Sequence, residues 1–338
     1  MGMGRWITNV EAALEKAHLR SARGSTPTRF RIDSYGGHGG PGGVVVRGRV
    51  LDNTLPTTAA EGEGVGATVR RSVRSFLTRE LAGVPLRVEL AGAHVDTVSD
   101  EEGYFRVRLP ATDDLESPWT AGTVALAGDY RGLTAPHTTP VLARVPAGSA
   151  AFGIISDLDD TVIRTGVQRV GQMVLHTLTR SELTRSPFPG AAELYRDLVA
   201  GVNPVFYVSS SPWNLHTFLT AFLEHHGFPR GPLLLRDLLG TAAGREQKHG
   251  RIREILDLHP GLRFVLIGDS GEKDPEIYAD IVRTHPDQVI AVYIREVRLD
   301  PDDGRVEDVV STWARDVPFV LAADSQVVRR HAQSLGLL

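Results

Sequence analysis

The hydrophobic rhythm of this chain changes once, near residue 147, and that change constrains its fold more than any other feature. Upstream, short segments alternate apolar and polar residues: V-V-V-R-G-R-V-L (44–51), L-R-V-E-L (86–90), H-V-D-T-V (94–98), Y-F-R-V-R-L (104–109), T-V-A-L-A (123–127) and V-L-A-R-V (141–145). A period of two, broken by turn signals such as D-E-E-G (100–103), reads as antiparallel strands with one wet face. Downstream the strands are apolar throughout: F-G-I-I-S (152–156), P-V-F-Y-V (204–208), P-L-L-L (232–235), F-V-L-I (264–267) and V-I-A-V-Y-I (289–294). They alternate with helical patterns near 169–184, 191–200, 213–226, 247–257 and 275–285. Strands that are apolar on both faces need cover on both, which predicts a parallel sheet between helices.

The expected organisation has three parts. Residues 1–43 form an N-terminal helix and a Gly-rich linker, 44–147 a small all-β sandwich, and 148–338 an α/β Rossmann-like parallel sheet. In the first part, Trp6, Val10, Ala13, Leu14 and Ala17 recur at helical spacing, which suits a packing helix or a membrane-surface helix. The stretch S-Y-G-G-H-G-G-P-G-G (34–43), with six glycines and a proline, predicts a linker without regular structure. A further helix is expected over 66–82. The stretch G-V-P-L-R-V-E-L to Y-F-R-V-R-L resembles a transthyretin or carboxypeptidase-regulatory module.

Composition narrows the function classes. With 338 residues and 41% hydrophobic content, the chain has material for more than one core. A net charge of -4 makes no case for nucleic-acid binding, and the absence of cysteine rules out disulfides and thiolate chemistry. No apolar run reaches the roughly 18 residues of a spanning helix. The N-terminal segment carries acids where a signal peptide would be apolar. A cytoplasmic protein is expected, with a peripheral place at the membrane left open; oligomeric state is not legible. Lys16, Lys248 and Lys273 are the only lysines among 37 basic residues, so each stands out.

Ligands of open parallel sheets bind beyond the carboxyl ends of the strands. There this sequence places Asp157, Asp159, Asp160 and Thr161 after the first strand and Ser209, Ser210 and Ser211 after the second. Gly268, Asp269, Ser270 and Gly271 follow the fourth, with Asp274 just beyond, and Lys248 stands near a helix start. Carboxylates crowded at a rim need a hard divalent cation, and oxygen donors without His or Cys suit Mg²⁺ and oppose zinc. Hydroxyls and a lysine beside backbone N–H groups suit phosphate oxygens. A carboxylate next to such a cation can attack phosphorus.

Those four strand-end segments in order are similar to the motifs of the haloacid dehalogenase superfamily of phosphatases. Within it, D-L-D-D-T-V-I-R-T, F-Y-V-S-S-S-P-W-N-L, Q-K-H-G-R-I-R-E-I and L-I-G-D-S-G-E-K-D-P-E-I-Y resemble the actin-patch-type Mg²⁺-dependent phosphatidate phosphatases, over about residues 150–300. The upstream G-G-V-V-V-R-G-R-V-L is also similar to the bacterial members. The resemblance implies a haloacid-dehalogenase-like fold and an aspartyl-phosphate mechanism. Asp157 would be the nucleophile, and Asp159 would protonate the leaving oxygen and then take a proton from water. Asp157, the Asp159 carbonyl and Asp269 would hold Mg²⁺, with Asp274 close by. Ser209 or Ser210, together with Lys248, would hold the phosphoryl group. Lys273 is a rival for the lysine role, and Asp160 is expected to shape the turn. Arg295 is a phosphate contact or a structural ion pair. His225 and His226 fit a helix C-terminus better than a metal site, and Trp213 fits packing better than substrate contact.

The 52 residues from Asp157 to Ser209 leave room for one extra helix and a loop, roughly 167–183, and not for a folded cap. Met173, Val174, Leu175 and Leu178 there would pack on the sheet or touch lipid. An open site suits a phosphorylated substrate that cannot be enclosed, such as a lipid headgroup at a membrane surface. The leading expectation is hydrolysis of phosphatidate to diacylglycerol and phosphate. The alternatives are another phosphomonoester, or a non-catalytic module that grips Mg²⁺ or an anionic lipid.

Overall fold

The computed structural model describes residues 26–52, 79–158, 162, 188–236, 244–271, 273–296, 309, 311, 313 and 316–338. The helices expected over 5–22 and 169–184 lie outside these residues, as does all but the end of the helix expected over 66–82. Arg79–Glu80, within that expected helix, form a short strand.

The first half folds into one sheet. Its strands are β1 (Phe30–Gly40), β2 (Gly43–Asp52), β3 (Arg79–Glu80), β4 (Pro85–Leu90), β5 (Ala93–Val98), β6 (Tyr104–Leu109), β7 (Trp119–Leu126) and β8 (Thr138–Arg144). Hydrogen bonding runs β3-β2-β1-β8-β7-β4-β5, with β6 also paired to β2. The sheet curls until β5 lies against β6, closing over a core that includes Val44, Val46, Leu86, Val88, Phe105, Val107, Val124 and Val141. The alternation legible in β4 and β6 is the alternation of this burial.

The linker expected over 34–43 is corrected here. Residues 30–40 are strand β1, paired antiparallel with β2 through Gly37–Val46, His38–Val45 and Gly39–Val44. Glycine marks close packing in this segment. A Cβ on Gly42, in the β1–β2 turn, would lie 2.3 Å from the Asp257 carbonyl oxygen.

The second half is a parallel sheet of β9 (Gly153–Asp157), β10 (Val205–Pro212), β11 (Leu233–Arg236), β12 (Phe264–Asp269), β13 (Val289–Arg295) and β14 (Phe319–Ala322). Their order is β11-β10-β9-β12-β13-β14. Helices α1 (Ala191–Val199), α2 (His216–His225), α3 (Gly244–Leu258), α4 (Asp274–Thr284) and α5 (Ser325–Ser334) cover both faces. Ile154, Val205, Tyr207, Val265 and Ile267 face one apolar cluster with α1, α2 and α5. Their neighbours Ile155, Phe206, Val208, Phe264 and Leu266 face the other with α3 and α4. Each fully buried side chain of this size contributes about 1.5–3 kcal/mol, so both faces hold the sheet in place.

Two differences have local causes. The helix expected over 213–226 begins as a 3-10 turn, Trp213–Leu215, because Pro212 ends β10 immediately before it. Strand β14 and helix α5 were not foreseen; β14 has four residues, mostly half-exposed, too short for a clear period. Helix α5 carries a legible start, since the Asp324 side chain accepts from the N–H groups of Gln326 and Val327 at 2.8 and 3.0 Å.

Candidate active site

The chain leaves β9 toward β10 and β11 on one side, then returns to β12, β13 and β14 on the other. A crevice at the carboxyl ends is expected where the order reverses, at β9. The register puts chemistry there. Asp157 pairs with Val208, so Ser209 is one step beyond it on β10. Ser156 pairs with Ile267, so Asp269 stands two residues on, at the end of β12. Asp274 arrives as the first residue of α4.

Asp157, Asp269 and Asp274 are all buried. One carboxylate oxygen from each lies within 4.8 Å of the others. The Lys248 ammonium donates to Asp157 Oδ1 at 2.6 Å and is ion-paired with Asp274 Oδ1. Lys248 is itself buried, on the first turns of α3. The Asp269 carboxylate accepts from Gly271 N–H at 2.6 Å, and the Asp269 N–H donates to Asp274 Oδ2 at 3.3 Å. Among the described residues, three carboxylates surround one ammonium, and burial makes an excess of negative charge costly without a cation. An all-oxygen donor set this compact fits a hard divalent cation and lacks the nitrogen or sulfur that zinc prefers.

Neighbouring groups fix the floor. Tyr278 donates to the Ile267 carbonyl at 2.9 Å; burial first, then the charge of Asp274, raises its phenol well above the usual value. Tyr195 and Ser156 share a hydrogen bond of 2.5 Å beneath Asp157. Gly268 is packed tightly: a Cβ there would lie 2.3 Å from Asp274 Oδ2 and 2.8 Å from Tyr278 Cε2.

Of the sequence-predicted residues, Asp157, Ser209, Lys248, Asp269 and Asp274 come together at this rim. Ser209 is buried, its hydroxyl accepting from the Ser211 N–H at 2.9 Å, and Ser210 is half-buried beside it. Asp159 and Asp160 lie outside the described residues, as do Met173, Val174, Leu175 and Leu178. Lys273 is exposed at the N-cap of α4, so the buried contact with the carboxylates belongs to Lys248. Arg295 lays its guanidinium 3.4 Å from the ring centroid of Phe188. Trp213 is buried and stacks on Tyr35, with centroids 4.8 Å apart and planes at 5°. His225 closes α2 and belongs to no carboxylate cluster among the described residues.

Sequence reasoning missed the residues that join the two sheets at this end. Glu254 on α3 meets His38, Arg47 and Arg106 of the first sheet. Asn214 meets Arg49 and Tyr104. The arginines that alternate along β2 and β6 were a visible signal, read as the wet face of a sheet. They are wet only where α3 and the 213–215 turn do not cover them.

Residues 152–296 match the sequence profile of the phosphatidate phosphatase APP1 catalytic domain. This segment belongs to that family. Phosphatidate phosphatase APP1 of Saccharomyces cerevisiae is 32% identical over 241 residues, covering 66% of this chain and 40% of the yeast protein. An uncharacterized protein of Schizosaccharomyces pombe is 31% identical over 159 residues, covering 44% of this chain and 26% of its own. The chain thus spans less than half the length of these relatives. A HAD family hydrolase from Deinococcus radiodurans R1, crystallised with phosphate and sodium, overlays with a TM-score of 0.36 at 16% identity. It covers 56% of this chain and 99% of its own, and so loose an overlap carries no inference. The four strand-end motifs seen in the sequence fall inside the matched segment, and the upstream G-G-V-V-V-R-G-R-V-L stretch lies outside it.

Proposed function

We propose that the chain is a phosphatidate phosphatase-like hydrolase of phosphomonoesters that works through an aspartyl-phosphate. The observation that carries this is the buried set of Asp157, Asp269 and Asp274 with Lys248 against it, at the strand ends of the family-matched segment. Asp157, Asp269 and Asp274 would hold Mg²⁺, which when bound offsets the negative charge of the carboxylates and the phosphoryl group. The Asp157 carboxylate attacks phosphorus, forming an O–P bond as the ester P–O bond breaks. Asp159 gives its proton to the leaving oxygen. Asp159 then takes a proton from water, whose oxygen attacks the same phosphorus; the O–P bond to Asp157 breaks and inorganic phosphate leaves. Ser209, with Ser210 beside it, and Lys248 hold the equatorial oxygens through both steps.

The finer readings stand on the same ground. The parallel sheet is read as a Rossmann-like, haloacid-dehalogenase-like domain from about residue 148, and the curled sheet before it as a sandwich-type unit. The substrate is read as phosphatidate, taken from a lipid surface by a protein on the cytoplasmic side. No helix among the described residues is long and apolar enough to cross a membrane. The test is phosphate release from phosphatidate in mixed micelles and from soluble phosphomonoesters, each with Mg²⁺ and with EDTA. Mg²⁺-dependent release favouring phosphatidate is expected. Preference for a soluble ester overturns the substrate, and no release from any ester overturns the reaction.

A further inference from the structure

Two segments deliver the phosphate-facing groups to the rim: the end of β10 with Ser209, and the start of α3 with Lys248. Both are gripped a little further along by the first sheet. On α3, Glu254 follows Lys248 by six residues, about 9 Å along the helix. Its two carboxylate oxygens each accept from Arg47 Nη2 at 2.7 Å, one accepts from Arg106 Nε at 3.1 Å and from Arg106 Nη2, and the other meets His38 Nε2 at 3.1 Å. Burial acts to raise the Glu254 carboxyl, yet the His38 hydrogen bond and the charge of Arg47 hold it well below the usual carboxylate range. The end of the same helix is tied to the β1–β2 turn, where Gly42 N–H donates to the Leu258 carbonyl at 3.1 Å.

The β10 arm is held likewise. Asn214 Oδ1, five residues past Ser209, accepts from Arg49 Nη1 at 3.0 Å and from the Tyr104 hydroxyl at 3.1 Å. Beside it Tyr35 stacks on Trp213. Asp157, Ser209 and Asp269 all stand on strands that are paired on both sides within the parallel sheet, whereas Lys248 reaches the rim from a helix. Five side chains of the first sheet therefore converge on just two residues of the second half, and each of those two leads back to a phosphate-facing group.

We infer that Glu254 and Asn214 are positioning residues, through which the first sheet sets the place of Lys248 against Asp157 and of Ser209 beside it. The first sheet is then a working part of the phosphate site and not a separate module. This rests on the phosphatase reading given above. Loosening α3 acts on the transition state, where Lys248 offsets charge, more than on substrate binding.

The experiment measures kcat and KM for phosphate release from phosphatidate micelles by the full chain, well below each variant's Tm. The set is wild type, Glu254→Gln, Glu254→Asp, Asn214→Ala and the control Tyr130→Phe, which removes a 2.7 Å hydrogen bond to the Ala82 carbonyl elsewhere in the first sheet. For Glu254→Gln the expected result is a fall in kcat of about ten- to a hundredfold, with KM changed by less than about threefold. Glu254→Asp, which keeps the charge, should recover the larger part, and Asn214→Ala should lose about three- to tenfold. If Glu254→Gln is not recovered folded, Asn214→Ala decides by the same comparison with the control. An active wild type whose variants lose no more kcat than Tyr130→Phe overturns the inference alone. A wild type that releases no phosphate from any ester overturns the phosphatase reading, and the inference with it.

Discussion

At the scale of single residues, the site rests on carboxylates that tolerate one another only because of what surrounds them. Asp157→Asn keeps the shape and removes the proposed nucleophile. Phosphate release should fall by a factor of about 10⁴ or more while circular dichroism and Tm stay near wild type; retained turnover would remove Asp157 from the mechanism. Gly268 offers a sharper test of geometry, because its absent Cβ leaves the space that Asp274 occupies. Gly268→Ala should push Asp274 from its place and raise the Mg²⁺ concentration for half-maximal activity about tenfold or more. An unchanged Mg²⁺ titration would show that the carboxylate does not need this position. Asp157, Ser209 and Asp269 were legible in the sequence because each sits at a strand end, and strand ends are readable from apolar runs; Asp274 and Lys248, near helix starts, were legible from the motifs around them. The sequence favoured Lys248 over Lys273, and the fold buries the first against the carboxylates and leaves the other exposed.

At the scale of elements, β1 shows how composition misleads. Glycine and proline usually announce a loop, yet here the glycines let a strand and its turn approach α3 closely. Gly42→Ala would drive a methyl into the backbone of Asp257 and Leu258. A loss of about 1–3 kcal/mol is expected, read as a lower urea midpoint with unchanged m-value. A neutral result would mean that the turn is free to move away from the helix. Five of the six parallel strands, by contrast, were read with their starts within one residue, because a strand buried on both faces leaves an uninterrupted apolar run; β14, half-exposed and short, was not. Contacts between residues hundreds of positions apart, such as His38 with Glu254, have no counterpart in any local pattern.

At the scale of the whole molecule, two predictions concern what the fold binds. A cation held by the three carboxylates stabilises the native state by mass action, by about 2.7 kcal/mol at a hundred times its Kd. Mg²⁺ should therefore raise Tm, and Asp269→Asn should abolish that rise; a rise that survives the substitution would place the ion elsewhere. The second prediction concerns protons. His259 is buried where α3 meets the first sheet, its ring nitrogens on the carbonyls of Ile255 and Gly39 at 2.6 and 3.1 Å. Burial pushes its pKa down to about 4, although both carbonyls favour the protonated ring. The unfolded chain, with an ordinary histidine near 6.5, takes the proton first. Stability is thus complete above about pH 6.5 and is lost progressively toward pH 4, by about 2 kcal/mol between pH 7 and 5. Burial also lowers His216 to about 4. The His259 share is therefore read as the difference between wild type and His259→Gln in denaturation midpoints at those two pH values, and no difference would mean that the folded ring protonates as readily as the unfolded one.

The two kinds of sheet, the chain order of five of the six parallel strands and the residues at their ends can be read before any folding. Those features follow from side-chain periodicity and local turn chemistry, which act over a few positions. Which strand lies at the centre, which lysine is buried against the carboxylates and how the first sheet grips α3 and the end of β10 emerge on packing. These depend on burial and on charges brought together from distant parts of the chain. Before folding, Glu254, Arg47, Arg106 and His38 are four solvated polar residues; packing removes water from Glu254, His38 and most of Arg47, and the half-exposed Arg106 closes the cluster.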